Sequence, residues 1–268
     1  MRKKWKYYEN DNKEEAIKLE EKFNVNKLLA MIMANRGITE KNAEIFLNPN
    51  RHDFHDPFNM PDMEEAVNRI VKAIENNEKT IIFGDYDVDG ITSTTVLKSF
   101  LKDRGLDVGN YIPNRLKEGY GLNKDAIEKI AKDGYTLMIT VDCGITGNEE
   151  IELAKSLGIE TIVTDHHEPA EELPNAIAVV DCKRKDNKYP FRELAGVGVA
   201  FKLTQAISIK LGLDEKEYLK YLDIVSIGTI SDIVPLVDEN RVITKLGLKL
   251  VRCTKNIGLK AILNEIRI

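Results

Sequence analysis

From Thr80 onward, short apolar runs alternate with helical stretches. "TIIF" (80–83) precedes a helical pattern over 91–104, "NYIP" (110–113) precedes one over 123–132, and "TLMITV" (136–141) precedes one over 148–157. "ETIVT" (160–164) and "AIAVV" (176–180) complete the series. Apolar strands separated by helices of about 10–15 residues predict βαβ units and a parallel sheet covered on both faces. The flanking regions have the helical period instead. In "PDMEEAVNRIVKAIENN" (61–77), Ala66, Ile70, Ala73 and Ile74 share one face, and "NKLLAMIMANRG" ends in the Gly expected just past a helix. "TEKNAEIFLNP" starts with a Thr cap and stops at Pro. Beyond about 194 the pattern is helical over 198–211, 214–230, 240–251 and 257–267. The expected organisation is therefore a helical lead-in over 1–78, an α/β domain over 79–235 and a helical extension over 236–268.

Composition narrows this picture only slightly. The 268 residues are 43% hydrophobic, enough for one large core, and the 31% charged residues nearly cancel to a net charge of -5. Three widely spaced cysteines, Cys143, Cys182 and Cys253, argue against a disulfide framework or a CxxC zinc site and fit a reducing cytoplasm. The start turns acidic before any apolar core of a signal peptide, and no apolar run reaches the roughly 18 residues of a membrane span. A cytoplasmic protein without a membrane partner is expected.

The chemistry lies just after the apolar runs, where ligands collect in open α/β sheets. "TIIFG" leads to Asp85, Asp87 and Asp89, "TLMITV" to Asp142, and "ETIVT" to Asp165, His166 and His167. Asp232 in "VSIGTISDIVPL" follows an apolar helical stretch. An isolated aspartate at a strand end is commonly a helix cap or an Asx turn. Several converging on one sheet edge would repel one another and raise their own pKa values, a cost that bound cations remove. Oxygen donors with imidazole suit Mn²⁺ or Mg²⁺, and a shared carboxylate can hold two ions about 3.5–4 Å apart. A two-metal hydrolytic site is the expectation. "DYDVDG" also fits the start of an EF-hand loop, but the twelfth position is Val96 where a bidentate Glu is required. A haloacid-dehalogenase-type phosphotransferase would leave Asp142 and "DHH" without roles. Neither a Walker A sequence nor G-x-G-x-x-G occurs.

With "GDYDVDG", "VDCGI", "TDHHEP" and "SDIVPL" in this order, the sequence resembles the DHH phosphoesterase superfamily and, within it, the RecJ-like single-strand exonucleases. "NRGITEKNAEIFLNP", "YIPNRLKEGYGLN" and "LAGVGVAFKL" extend the likeness over nearly the whole chain. The resemblance implies a five-stranded, mainly parallel sheet flanked by helices, two Mn²⁺ or Mg²⁺ ions, and 5′→3′ hydrolysis of single-stranded DNA to nucleoside 5′-monophosphates in DNA repair and recombination. It implies Asp87, Asp89, His166 and Asp232 as metal ligands, Asp142 as a bridge between the ions, and replication or repair proteins as partners. Many relatives carry a ligand histidine where Phe83 stands here, so either the first ion has fewer protein ligands or Asp85 compensates. His167 is assigned to the scissile phosphate or the leaving oxygen, with Asp165 orienting the imidazoles. Arg115 matches a position expected to meet substrate phosphate.

"AGVGVA" could present backbone N–H groups to a phosphate because Gly196 and Gly198 leave the approach open, although tight helix packing explains the glycines equally well. Lys245 and Lys249, with Arg241 and Arg252, form a helical stripe that is either a solvated face or a rail for the DNA backbone. The resemblance also implies that a connecting helix at the end leads to a domain this chain lacks. Two other functions are compatible with the motifs: a DHH phosphodiesterase of short oligonucleotides or cyclic dinucleotides, and a catalytically silent DNA-binding replication module.

Overall fold

In the computed structural model, which describes residues 12–266, the chain divides into two compact units at Asp53/Phe54. The first contains α1 (Lys13–Phe23), α2 (Lys27–Asn35) and the short α3 (Ala43–Leu47). Ala16 and Leu19 of α1 are buried, as are Ala30, Met33 and Ala34 of α2. Asn26 caps α2 by accepting the Leu29 N–H at 2.9 Å, and the Asn12 amide donates to the Ala34 carbonyl at 3.1 Å. The expected Thr39 cap is replaced. Asn42 precedes α3 and turns its carbonyl oxygen back to the Thr39 N–H at 2.7 Å.

The second unit begins with α4 (Met63–Glu75), which the sequence pattern groups with the lead-in. The sheet then builds through β1 (Thr80–Gly84), α5 (Val88–Lys102), β2 (Val108–Tyr111), α6 (Lys124–Lys132), β3 (Leu137–Val141), α7 (Asn148–Ser156), β4 (Glu160–Asp165) and β5 (Ala178–Asp181). After it come α8 (Gly196–Lys210), α9 (Lys216–Leu219), α10 (Leu222–Ser231), α11 (Asp238–Val251) and α12 (Ile257–Glu265). The five strands are all parallel in the order β2-β1-β3-β4-β5. Strand alternation divides the core. Ile82, Leu137, Ile139 and Val141 pack with residues of α4, α5, α8 and α10, whereas Ile81, Phe83 and Met138 pack with α6 and α7. Among the described residues, no helix is long and apolar enough to cross a membrane.

Two elements depart from the sequence pattern. The second strand lies at Val108–Tyr111 instead of 110–113, and it includes Gly109, over which the Tyr135 ring packs so closely that a Cβ there would meet its hydroxyl at 2.3 Å. The helix expected over 214–230 is interrupted between α9 and α10. Behind the sheet, Lys202 of α8 is fully buried and donates to Glu239 at 2.8 Å and to the His55 carbonyl at 2.6 Å. Glu239 also accepts the His55 N–H at 3.0 Å and the Tyr189 hydroxyl, so this buried pair is enclosed by hydrogen bonds.

The register fixes where the chemistry falls. Gly84, Val141 and Thr164 are aligned across β1, β3 and β4, so the residues after each strand emerge along one carboxyl edge. The chain passes from β1 outward to β2 and then back across to β3, which makes the β1/β3 gap the point where strand order reverses.

Candidate metal centre

At the β1/β3 gap, the end of β1 delivers Asp85 and Asp87, and the end of β3 delivers Asp142. Donor atoms of these three carboxylates lie within 4.8 Å of one another. Asp87 caps α5 by accepting the Gly90 N–H at 2.9 Å, and Gly90 is required because a Cβ would meet the Asp85 carbonyl oxygen at 2.4 Å. Asp142 has φ 59°, a left-handed conformation that Asp tolerates better than most residues. Phe83, the residue at the histidine position of many relatives, is fully buried and stacked on Tyr111 with ring centroids 5.3 Å apart. It contributes packing beneath the site, while Asp85 joins Asp87 and Asp142.

A second group forms around His166, the first residue after β4. Its Nε2 is 3.1 Å from Asp142 and 3.7 Å from Asp89, and its Nδ1 is 3.8 Å from Asp232 at the end of α10. Asp142 therefore adjoins both groups. His167 stands beside this group, with a ring nitrogen within 4.8 Å of donor atoms of Asp142 and His166, and its Nδ1 hydrogen-bonds to Asp165 at 2.7 Å. Asp165 also accepts the backbone N–H groups of His166 at 2.7 Å, His167 at 3.2 Å and Ile145 at 3.0 Å. It holds the backbone of both histidines but the imidazole of only one.

Burial and mutual repulsion dominate the electrostatics. Burial, followed by the charges of Asp87 and Asp165, pushes the Asp142 carboxyl up to about 9. Burial and Asp142 push Asp89 well above the usual carboxylate range, and burial raises Asp85 and Asp232 as well. In contrast, the hydrogen bond to Asp165, opposed by burial, lifts the His167 imidazole to about 9. Burial acts to raise Asp165, but the hydrogen bond and charge of His167, with the N–H groups of Ile145 and His166, hold it below its usual value. One salt-bridged pair thus stands beside a cluster of carboxylates that resist ionisation. One oxygen of Asp85 is buried without a hydrogen-bond partner. Converging oxygens of high proton affinity, an orphaned carboxylate oxygen and one imidazole fit a pair of hard divalent cations.

The remaining predicted residues are placed as follows. The Arg115 guanidinium lies 5.3 Å from the Tyr86 ring, between the two first-strand aspartates in sequence. The first N–H groups of α8 do not face an open phosphate seat: Gly196 and Val197 donate to the two oxygens of Asp89 at 2.6 and 2.8 Å. Gly196 is needed for close approach, since a Cβ would meet Asp142 Oδ1 at 2.6 Å, and Gly198 packs against Leu194. Both glycines therefore serve the carboxylates and helix packing directly. Lys245 and Lys249 lie on α11, with Lys249 exposed, and neither belongs to the carboxylate groups.

Two neighbours were missed by sequence reasoning. The Tyr120 hydroxyl is 3.4 Å from His167 Nδ1 and 3.5 Å from the Asp142 carbonyl oxygen, and partial desolvation with the charge of Asp165 raises this phenol above its usual value. Asp181 ends β5 in register with Asp165, is fully buried, and has one oxygen without a partner. Burial pushes its carboxyl up to about 7. The rule that found the other strand-end aspartates applies to "AIAVVD" and would have found it. Tyr120 lies within "YIPNRLKEGYGLN" and reaches the site through a loop.

The family model for the DHH family, N-terminal domain, matches residues 79–229, covering every strand and the carboxylate cluster except Asp232. The single-stranded-DNA-specific exonuclease RecJ of Bacillus subtilis is 48% identical over 246 residues, 91% of this chain and 30% of the relative. That of Escherichia coli K12 is 38% identical over 212 residues, 75% of this chain and 37% of the relative. The chain thus spans about a third of the length of these relatives. A crystal structure of exonuclease RecJ bound to manganese superposes with a TM-score of 0.72 at 34% identity, covering 77% of this chain and 52% of that one. RecJ of Thermus thermophilus in complex with Mn²⁺ superposes with a TM-score of 0.79 at 28% identity, covering 94% and 35%. The carboxylate edge, the ordered motifs and the family match agree: this chain belongs to the DHH family.

Proposed function

We propose that the chain is the catalytic portion of a metal-dependent phosphodiesterase that removes nucleotides from the 5′ end of single-stranded DNA. The observation that carries this reading is two neighbouring donor groups, Asp85/Asp87/Asp142 and Asp89/His166/Asp232, joined by the 3.1 Å approach of Asp142 to His166, with the Asp142 carboxyl pushed up to about 9 by burial and its neighbours. The relatives named for single-stranded-DNA exonuclease activity, and the structures bound to manganese, support the choice of substrate and ion.

In this reading Asp85, Asp87 and Asp142 hold one divalent cation, and Asp89, Asp142, His166 and Asp232 hold the other, with Mn²⁺ or Mg²⁺ as the ions. Such a pair supplies a nucleophile at neutral pH and charge stabilisation at the attacking and leaving oxygens. The chain's residues do the remaining work. Asp165 keeps His167 protonated and fixes its ring, leaving Nε2–H free to donate to a phosphoryl oxygen as negative charge develops there. The Tyr120 hydroxyl approaches the same Nδ1 at 3.4 Å and adds to the restraint on the ring. Arg115, steadied against Tyr86, meets a phosphate on the strand, and the N–H groups at the start of α8 hold Asp89 in place. Lys245 and Lys249 are assigned to longer-range attraction of the DNA backbone.

Digestion of 5′-labelled single-stranded DNA in Mn²⁺ tests the assignment. The expected product is labelled nucleoside 5′-monophosphate, abolished by EDTA and by Asp87→Ala. An intact strand, or equal digestion by the folded variant, refutes it. Faster hydrolysis of a dinucleotide than of the strand would favour the short-oligonucleotide reading instead.

A further inference from the structure

Beside the carboxylates lies hydrocarbon that no part of the proposed mechanism uses. Val88 and Ile91 at the start of α5 are 45% and 44% exposed, and Ile230, Ile233 and Leu236 around the end of α10 are 39%, 88% and 38% exposed. The two helix ends are held together. Gly228 of α10 lies against α5 so closely that a Cβ would meet Thr92 Oγ1 at 2.2 Å. Asp89, one residue after Val88, and Asp232, one residue before Ile233, bring donor atoms within 4.8 Å of each other at His166. Val88 and Ile233 are thus exposed apolar residues directly adjoining two of the metal-binding groups.

Ile233 carries a second penalty. Its φ is 61°, the left-handed region, which a β-branched side chain rarely adopts. A glycine or asparagine would make the same turn without that strain and without exposing hydrocarbon. The strain follows directly after Asp232, and the resulting bend leaves the isoleucine side chain projecting into solvent.

We propose that this ledge, centred on Ile233, seats the nucleobase of a nucleotide adjoining the scissile phosphodiester. The inference rests on the phosphodiesterase reading above. Within a nucleotide, only the base presents an apolar face. The phosphates are drawn to the cations, His167 and Arg115, and a hydrocarbon surface offers a phosphate nothing in exchange for its water. Aliphatic side chains, isoleucine and leucine included, are used as wedges against base steps, and contact with a base face is tolerant of sequence. The ledge thus recognises that a base is present without selecting which one, as an enzyme consuming a strand of any sequence requires.

The test uses the Mn²⁺-loaded chain and two 5′-labelled single strands of equal length, one carrying abasic residues in place of its two 5′-terminal nucleosides. Wild type is expected to cleave the base-bearing strand with about 5- to 20-fold higher kcat/KM, the lower part of the range for a base stacked on an aromatic side chain, because the ledge is aliphatic. Ile233→Gly is expected to reduce that ratio to near 1 through a raised KM, and Ile233→Val to retain most of it. Thermal unfolding checks the fold: relief of the left-handed strain should leave Ile233→Gly at least as stable as wild type. Equal cleavage of the two strands by wild type overturns the proposal, leaves the phosphodiesterase reading standing and assigns the ledge to a protein surface. An unchanged ratio in Ile233→Gly also overturns it. Cleavage of neither strand refutes the phosphodiesterase reading itself.

Discussion

Replacing Asp142 by asparagine should stabilise the metal-free chain while destroying its chemistry. The carboxyl is raised from 3.8 to about 9 because it is buried among Asp85, Asp87, Asp89 and Asp165. A folded-state pKa above the unfolded value gives stability that is fully present below about 3.8 and lost as pH rises toward about 9. At pH 7.5 in EDTA, holding the group protonated costs up to about 5 kcal/mol at 1.36 kcal/mol per pH unit. Solvent entry and side-chain relaxation should reduce this to roughly 2–4 kcal/mol. Asparagine imitates the protonated acid in shape and carries no charge, so it avoids the cost. Urea unfolding in EDTA across pH 4.5–9 should show the variant more stable at neutral and alkaline pH, with the curves converging toward pH 4.5. Saturating Mn²⁺ should reverse the order, because the wild type gains binding energy that the variant cannot. An asparagine variant less stable than wild type at pH 7.5 without metal, or a difference independent of pH, would refute the view that repulsion is stored in this cluster.

Other substitutions examine separate parts of the account. Lys202→Met should cost about 3–5 kcal/mol by leaving Glu239 buried and unpaired, and Lys202→Met/Glu239→Leu should recover much of that in denaturant unfolding. Asp165→Asn should lower the His167 pKa from about 9 toward the ordinary imidazole value, moving the alkaline limb of the rate–pH profile downward; an unmoved limb would contradict the His167 donor role. Gly196→Ala should push the Asp142 carboxylate from its position and weaken Mn²⁺ binding by about 10–100-fold, measured by calorimetry, with a smaller effect on unfolding.

The strands carrying the site were legible because "TIIF", "TLMITV" and "ETIVT" are compact apolar runs, each ending at a residue with chemistry. The outer strand was displaced in the reading because Gly109 weakens the strand signal, and its place depends on Tyr135 packing from 26 residues away in sequence. The glycines of "AGVGVA" showed that something approaches closely, but they could not show what. The partner of α8 is Asp89, more than 100 residues earlier, and that pairing is a property of the tertiary fold alone. Asp181 follows the fifth apolar run as the other aspartates follow theirs, so its place at the sheet edge is legible in "AIAVVD". The role of Tyr120 depends on where a loop folds over the sheet edge, which leaves no periodic trace.

The central claim is that residues from four separate stretches of the chain form one centre for two ions with Asp142 between them. Manganese-binding stoichiometry tests it most directly, by titrating the EDTA-treated, dialysed chain and following free Mn²⁺ by electron paramagnetic resonance. Two ions per wild-type chain are predicted, with both affinities weakened in Asp142→Asn. Binding of one ion or none by wild type, or two undiminished sites in the variant, would contradict the account.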